Sequence, residues 1–134
     1  MTVRTVLIVD DNENIRIALR GFFDRQKEWK VVGEAEDGSM AIQKALELKP
    51  DLIVMDVRMP GMNGIEAALV AKKRLPNTRV VVFTLFDESI GRRLTSTVGI
   101  DLVVSKSEGS NGLIQGIRRL ARESGRALRF QESC

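Results

Sequence analysis

The sequence predicts an α/β domain in which helices cover both faces of a parallel sheet. Three observations predict it: short continuous apolar runs, amphipathic segments at helical spacing between them, and short connections. Apolar runs without alternation are typical of strands that are buried on both faces of a parallel sheet. Five strand–helix units with right-handed crossovers are expected along the 134 residues.

The strands are predicted from four strong apolar runs and one weak one. The strong runs are 5–9, 52–55, 80–83 and 102–104, and the weak run is Val31-Val32. Apolar residues at spacings of three and four predict the helices between them. The first is expected from Asn14 to about Lys27, the second to end before Pro50 and the third to end at about Leu75 after the loop 59–64. Apolar residues within 90–98 and 113–121 predict the last two.

Composition predicts one globular domain. Hydrophobic residues make up 43% of the chain and charged residues 29%, which is ordinary for a soluble protein. We expect the domain to cover 1–124, with 125–134 as a C-terminal tail or the start of a linker. No apolar stretch approaches the roughly 20 residues of a membrane span. The start of the chain has no signal-peptide pattern, so a cytoplasmic location is expected.

Two residue counts exclude whole classes of chemistry. Cys134 is the only cysteine, so an internal disulfide is impossible. The chain contains no histidine, which excludes histidine acid–base catalysis and histidine metal ligation. The net charge of +3 is mildly basic and lacks the strong asymmetry of a dedicated nucleic-acid binder.

Polar residues stand where four of the predicted strands end. Asp10-Asp11 follow the first strand, Asp56 the third, Thr84 the fourth and Lys106 the fifth. The carboxyl ends of parallel strands meet at one edge of a sheet, where ligands bind in open α/β folds. We therefore expect three carboxylates, one hydroxyl and one ammonium to lie together at that edge.

This combination favours a site for a divalent cation and a phosphoryl group. Mg²⁺ prefers oxygen ligands, which Asp11 and Asp56 could supply while Asp10 orients metal-bound water. Asp56 is also the candidate nucleophile, because carboxylates form aspartyl phosphates. Lys106 and Thr84 would stabilise charge on the phosphoryl oxygens. The alternative for each residue alone is structural, and Asp10-Asp11 could simply cap the first helix.

The same residues resemble the pattern of a bacterial response-regulator receiver domain over essentially the whole chain. That pattern has an acidic pair after strand 1, a phospho-accepting aspartate after strand 3, threonine or serine after strand 4 and lysine after strand 5. The stretch 56–64, DVRMPGMNG, is similar to the family's loop after the aspartate. Lys106-Ser107 and the segment 113–118 look most like receivers of LuxR/FixJ-type transcription regulators.

The resemblance implies a flavodoxin-like (βα)5 three-layer sandwich with sheet order 2-1-3-4-5. It implies phosphorylation of Asp56 by a partner sensor histidine kinase, followed by slow self-catalysed hydrolysis. It also implies Mg²⁺ held by Asp11, Asp56 and the backbone carbonyl of Arg58, beside Asp10. The protein would be a signalling switch rather than a conventional enzyme.

Three residues depart from the family pattern near the expected switch. Leu85 follows Thr84, where the family usually has a small residue. Val103 occupies the strand 5 position of the usual aromatic residue, whose rotation normally accompanies movement of the threonine. Ser107 replaces the frequent proline after Lys106. These departures leave the phosphorylation residues intact and place the relay from Thr84 to the surface in question.

Two functions therefore remain: a phosphorylatable switch, and a constitutive interaction module whose output does not depend on phosphorylation. A phosphatase-type hydrolase is weaker, because Arg58 stands where such enzymes have a second aspartate. A dinucleotide binder is weaker still, because no glycine-rich fingerprint follows the first strand.

The output partner is not fixed by the sequence. No helix-turn-helix pattern is present, so the chain is either a stand-alone receiver or the N-terminal part of a transcription regulator whose DNA-binding domain is missing. The arginine-rich stretch 118–129 could contact DNA, but a solvated helix face is favoured over direct DNA binding. Surfaces beside the last two helices could form a homodimer.

Overall fold

The structure, a computed structural model, describes residues 3–57, 64–84 and 100–120. These residues contain five strands and four α-helices. The strands are β1 (Arg4–Val9), β2 (Trp29–Ala35), β3 (Leu52–Met55), β4 (Arg79–Thr84) and β5 (Leu102–Ser105). The helices are α1 (Glu13–Asp24), α2 (Gly38–Leu48), α3 (Gly64–Arg74) and α4 (109–120), the last preceded by a 3₁₀ turn at Lys106–Glu108.

The five strands form one parallel sheet in the order β2-β1-β3-β4-β5. This confirms the predicted fold class and strand order. All four residues of β3, the central strand, are buried, which explains its continuous apolar run. The carboxyl ends of β1, β3, β4 and β5 therefore lie along one edge of the sheet, which we call the carboxyl edge.

Alternate residues of the strands point to opposite faces of the sheet and contribute to two separate hydrophobic cores. On one face Leu7, Ile53 and Val80 pack against α2 and α3. Those helices present mostly alanine at the contact, including Ala45 and Ala68. Small side chains let the two helices approach the sheet closely and one another.

The opposite core is built from larger side chains. Val6, Ile8 and Val81 face Phe23 of α1 and Ile117 of α4. The rings of Phe22 and Phe23 are packed edge to face, and Phe23 meets Trp29 in the same way. Helices on both faces complete the predicted three layers.

Two predicted boundaries differ from the structure. β2 is seven residues long rather than two, and its pairing with β1 shifts between Val6 and Leu7. The shift and the polar residues of this edge strand hide its pattern in the sequence. α1 ends at Asp24 rather than near Lys27, because the chain tightens into bonds from Arg25 N–H to Phe22 O and from Gln26 N–H to Phe23 O.

The fourth helix predicted around 90–98 and the tail 125–134 lie outside the described residues. The boundary at residue 124 stays a prediction. In the described ranges, no helix is long and apolar enough to cross a bilayer.

Candidate functional site at the carboxyl edge

The turn after β1 places Asp10 in the interior. Its backbone N–H donates to Ala35 O at 3.1 Å, and the residue is only 2% exposed. One carboxylate oxygen accepts the backbone N–H of Asn12 at 2.9 Å. Asp11 is exposed. The structural alternative for this pair is wrong, because Asn12 is the residue that caps α1, through Asn14 N–H and Ile15 N–H.

Asp56 follows the last residue of β3 and is 6% exposed. Its N–H donates to Val9 O at 3.0 Å, which ties its position to the end of β1. The start of α3 rests directly on this backbone. Gly64 N–H donates to Val57 O at 2.9 Å, and a β-carbon on Gly64 would lie 2.1 Å from the Asp56 carbonyl oxygen. Only glycine fits such a close approach.

Lys106 joins two of the carboxylates. Its Nζ lies 3.0 Å from Asp10 Oδ2 and 3.2 Å from Asp56 Oδ2, with the side chain 14% exposed. Burial opposes its charge, yet hydrogen bonding and attraction from Asp10, reinforced by Asp56, raise the Lys106 pKa above its ordinary value. The ammonium is therefore a fixed positive charge in the site.

Burial also opposes the charge of Asp10, and here it outweighs the attraction of the neighbouring groups. Desolvation raises the pKa of Asp10 above its ordinary value of 3.8, although the Asn12 N–H and Lys106 pull it down. Lys106 thus compensates only part of the free-energy penalty of a buried negative charge. A further cation would be favoured at this position.

A capping box holds the turn that carries Lys106. Ser105 accepts the N–H of Ser107 at 3.2 Å, and its own N–H donates to Glu108 Oε2 at 3.3 Å. The hydroxyls of Ser105 and Ser107 lie 2.8 Å apart. Side-chain hydrogen bonds thus order the turn that has serine where proline is frequent.

Thr84 ends β4, paired with Ser105 of β5, and is 1% exposed. Across the part of the chain that the structure describes, its Oγ1 has no hydrogen-bond partner. A buried hydroxyl without a partner is destabilising, and such groups are uncommon outside functional sites. The hydroxyl is available to a ligand that brings acceptor oxygens.

The three aspartates can converge on one ion. Oxygen atoms from Asp10, Asp11 and Asp56 lie within 4.8 Å of one another. A set of hard carboxylate oxygens on a partly exposed turn suits Mg²⁺, which keeps several waters. The net charge of three carboxylates and one ammonium also favours a divalent cation.

The family model for the response regulator receiver domain matches residues 6–118. The chain belongs to this family. It is thus a receiver domain of the response regulators of two-component systems, as the sequence pattern predicted. Relatives of the LuxR family confirm the predicted subgroup.

The response regulator VraR of Staphylococcus saprophyticus is 42% identical over 116 residues, which are 85% of this chain and 54% of VraR. The chain spans about half the length of the curated relatives it matches. A LuxR-family response regulator from Aurantimonas has a solved structure that is 30% identical with a TM-score of 0.83, covering 90% of this chain and 86% of that one. The receiver of Thermotoga maritima CheB is 38% identical with a TM-score of 0.72, over 95% and 94% of the two chains.

The receiver fold brings Asp10, Asp56 and Lys106 into direct contact, with Asp11 beside them. Arg58 and Leu85, which were predicted for metal binding and switching, lie outside the described residues. Val103 is half-buried on β5 and packs against the core on the α2–α3 face.

Sequence reasoning missed four residues that shape the site. Asn12 and Glu108 act as caps, Gly64 allows the close approach to Asp56, and Arg16 contacts the Asp10 carbonyl. The first three had recognisable signals: an asparagine before a helix, a serine three residues before a glutamate, and a glycine closing a loop. Arg16 had none, because its contact depends on the helix orientation.

Proposed function

We propose that this receiver accepts a phosphoryl group on Asp56 from a sensor histidine kinase, with Mg²⁺, and thereby switches partner binding or dimerisation. The observation that carries the proposal is the position of Lys106 between Asp10 and Asp56. A buried ammonium shared by two carboxylates at the end of three strands has the charge that phosphoryl transfer requires.

In the proposed step a carboxylate oxygen of Asp56 attacks phosphorus. The bond from phosphorus to the donor's imidazole nitrogen breaks as the aspartyl P–O bond forms, and the electron pair leaves with the imidazole. Lys106 neutralises charge on the phosphoryl oxygens, and Thr84 donates its hydroxyl to one of them. Both interactions strengthen as charge develops, which is the requirement for catalysis of this transfer.

Mg²⁺ would be held by Asp10, Asp11 and Asp56 together with the backbone carbonyl of Arg58. When bound, it would supply positive charge that offsets the negative charge of the acceptor carboxylate and the phosphoryl group. The carboxylate cluster and the raised pKa of Asp10 support this assignment, because both indicate uncompensated negative charge.

Phosphorylation can supply enough free energy to switch the domain. A phosphoryl group adds about −1.5 to −2 charges and three acceptor oxygens. Complete switching needs about 5.5 kcal/mol, and charge-assisted hydrogen bonds contribute roughly 1.5–3 kcal/mol each. Three such contacts, from Lys106, Thr84 and one backbone N–H, would contribute roughly 4.5–9 kcal/mol together, a range that includes this requirement. Thr84, Leu85 and Val103 are the proposed switch residues.

The output would pass to a DNA-binding domain, a separate partner protein or a second copy of the chain, inside the cytoplasm. Direct DNA binding by this chain is not proposed. In α4, Arg118 is exposed and donates to Gln26 at 3.1 Å, as a solvated helix face would.

A constitutive interaction module is the second candidate. Val103 favours it, since a half-buried valine on β5 cannot make the rotation expected of an aromatic residue. Both candidates keep the receiver fold, so phosphorylation is the property that separates them.

The deciding experiment is intact-mass spectrometry after incubation with Mg²⁺ and acetyl phosphate. Wild type should gain one phosphoryl group, and Asp56→Asn should gain none. Asp51→Asn is a matched control, because Asp51 lies at the opposite end of β3 and should leave labelling unchanged. A parallel reaction with a phosphorylated sensor kinase tests the proposed donor. Wild type that stays unlabelled by either donor, and does not bind beryllofluoride, would establish the constitutive module instead.

A further inference from the structure

Arg16 extends from the first turn of α1 to the back of the acidic site. Its Nη1 donates a hydrogen bond to the backbone carbonyl oxygen of Asp10. Its Nε lies 3.4 Å from Glu34 Oε1 on β2, and the side chain is 14% exposed. The guanidinium thus joins the turn after β1 to the neighbouring strand.

The carbonyl that Arg16 contacts belongs to the peptide joining Asp10 to Asp11. Peptide planarity couples that oxygen to the N–H and Cα of Asp11, so fixing one fixes the plane. Within the described ranges, no side-chain hydrogen bond orients the exposed carboxylate of Asp11. Its direction therefore depends on the backbone that Arg16 holds.

Asp10 itself has other restraints. Its N–H is bonded to Ala35, and its carboxylate to Asn12 N–H and Lys106. Arg16 holds the carbonyl of the Asp10–Asp11 peptide, whereas the Asn12 N–H bond restrains the peptide that follows Asp11. Removing Arg16 would loosen the plane of the Asp10–Asp11 peptide while leaving the Asp10 carboxylate in place.

We propose that Arg16 is a positioning residue that pre-orients the Asp10–Asp11 turn for the divalent cation, with Glu34 holding its guanidinium. The inference rests on the proposed Mg²⁺ site. Residues that orient metal ligands from behind typically change metal affinity by 10–100-fold when they are replaced.

Arg20 provides a matched control on the same helix. It lies one turn further along α1 and contacts the same glutamate, with Nε 2.6 Å from Glu34 Oε2. Its side chain is 49% exposed, however, and among the described residues its charged partner is Glu34 rather than the Asp10 turn. Arg16 and Arg20 therefore share the ion pair with Glu34 and differ in the contact with the turn.

The test is calorimetric titration of the 134-residue chain with Mg²⁺ alone, on wild type, Arg16→Met, Arg16→Lys and Arg20→Met. Arg16→Met should weaken Mg²⁺ binding about tenfold or more. Arg20→Met should stay within about twofold of wild type. Arg16→Lys should recover part of the affinity, because an ammonium can still donate to one carbonyl. Circular dichroism shows whether each variant is folded. If Arg16→Met does not fold, Glu34→Gln takes its place, because it removes the charge that holds the guanidinium. A smaller loss of Mg²⁺ affinity is expected for Glu34→Gln.

The Mg²⁺ dependence of acetyl phosphate labelling gives a second readout that a merely structural role would not produce. For Arg16→Met the half-saturating Mg²⁺ concentration should rise, while the rate at saturating Mg²⁺ stays near wild type. If wild type binds Mg²⁺ and folded Arg16→Met binds it with the same affinity, the role of Arg16 is overturned and the proposed metal site stands. Wild type that binds no Mg²⁺ overturns the proposed metal site and the inference together.

Discussion

The two edges of the sheet differ in how their carboxylates are paired with positive charge. At the amino edge, where the strands begin, Asp101 accepts Val80 N–H at 2.7 Å, Lys72 Nζ at 3.1 Å and Arg79 Nη1 at 3.3 Å. At the carboxyl edge, three aspartates converge and two of them share the single ammonium of Lys106.

The buried threonines show the same contrast. Thr78, at the amino edge, donates its hydroxyl to Pro50 O at 2.8 Å. Thr84, at the carboxyl edge, has no partner for its hydroxyl among the described residues. The difference teaches that the charges and hydroxyl of the amino edge are matched within the fold, whereas the carboxyl edge keeps an excess of negative charge and the Thr84 hydroxyl available to a ligand. Unsatisfied groups of this kind are expected at functional sites.

The largest effect on stability is expected from Asp101→Asn at the amino edge. Asparagine can still accept Val80 N–H, but it removes the charge that pairs with Lys72 and Arg79. We expect unfolding free energy to fall by about 2 kcal/mol, as for hydrogen bonds to charged groups. Urea denaturation measures the change, and acetyl phosphate labelling of Asp56 should persist. A loss below about 0.5 kcal/mol would mean that the network is no stronger than an exposed ion pair.

Asp10→Asn at the carboxyl edge should act in the opposite direction. Burial raises the pKa of Asp10 above 3.8 despite the attraction of Lys106 and the Asn12 N–H, with Asp56 adding repulsion. The contribution of Asp10 to the free energy of unfolding is therefore complete below pH 3.8, where the carboxyl is protonated. This contribution is lost as the pH rises through the folded-state pKa and the buried carboxyl ionises. The variant avoids that loss, so at pH 7 without metal it should be more stable by about 1 kcal/mol.

The dependence of this stability difference on pH and on Mg²⁺ gives two further tests. The advantage of Asp10→Asn should vanish below about pH 3.8, where Asp10 is protonated in both states of wild type. Mg²⁺ at 100 times its dissociation constant should add about 2.7 kcal/mol to wild type and less to the variant. Asp11→Asn, an exposed control, should weaken Mg²⁺ binding without raising metal-free stability. A variant that is less stable than wild type at pH 7 would contradict the interpretation of the Asp10 pKa.

The sequence predicted the central fold well because its strands are buried on both faces. Continuous apolar runs such as 52–55 allow few alternatives, and their ends place Asp56 at the correct edge. The length of β2 was underestimated because this edge strand carries Lys30 and Glu34 among its apolar residues. Its pairing with β1 supplies the order that its own pattern lacks.

The site was predicted as a set of residues but not as a set of contacts. Strand ends indicate that Asp10, Asp56 and Lys106 are neighbours, yet they do not show that one ammonium bridges both carboxylates. Arg16 could not be found from the sequence, because its role depends on how α1 is tilted against β1 and β2. Distances of this kind arise from tertiary packing rather than from any local pattern.

The smallest expected effects come from the two threonines, and they test the comparison most directly. Valine has nearly the shape of threonine without the hydroxyl. Thr78→Val should cost about 1 kcal/mol, because Pro50 O loses its buried donor. Thr84→Val should be neutral or stabilising by up to about 1 kcal/mol, because it removes a buried hydroxyl that has no partner among the described residues.

The phosphorylation rate should show the reverse ranking of the two threonine variants. Thr84→Val should slow acetyl phosphate labelling of Asp56, whereas Thr78→Val should leave the rate unchanged in folded protein. Thermal unfolding and labelling rates measured on the same samples give both quantities. If Thr84→Val cost as much stability as Thr78→Val, the Thr84 hydroxyl would have a partner within the fold, and the two edges would not differ in this respect.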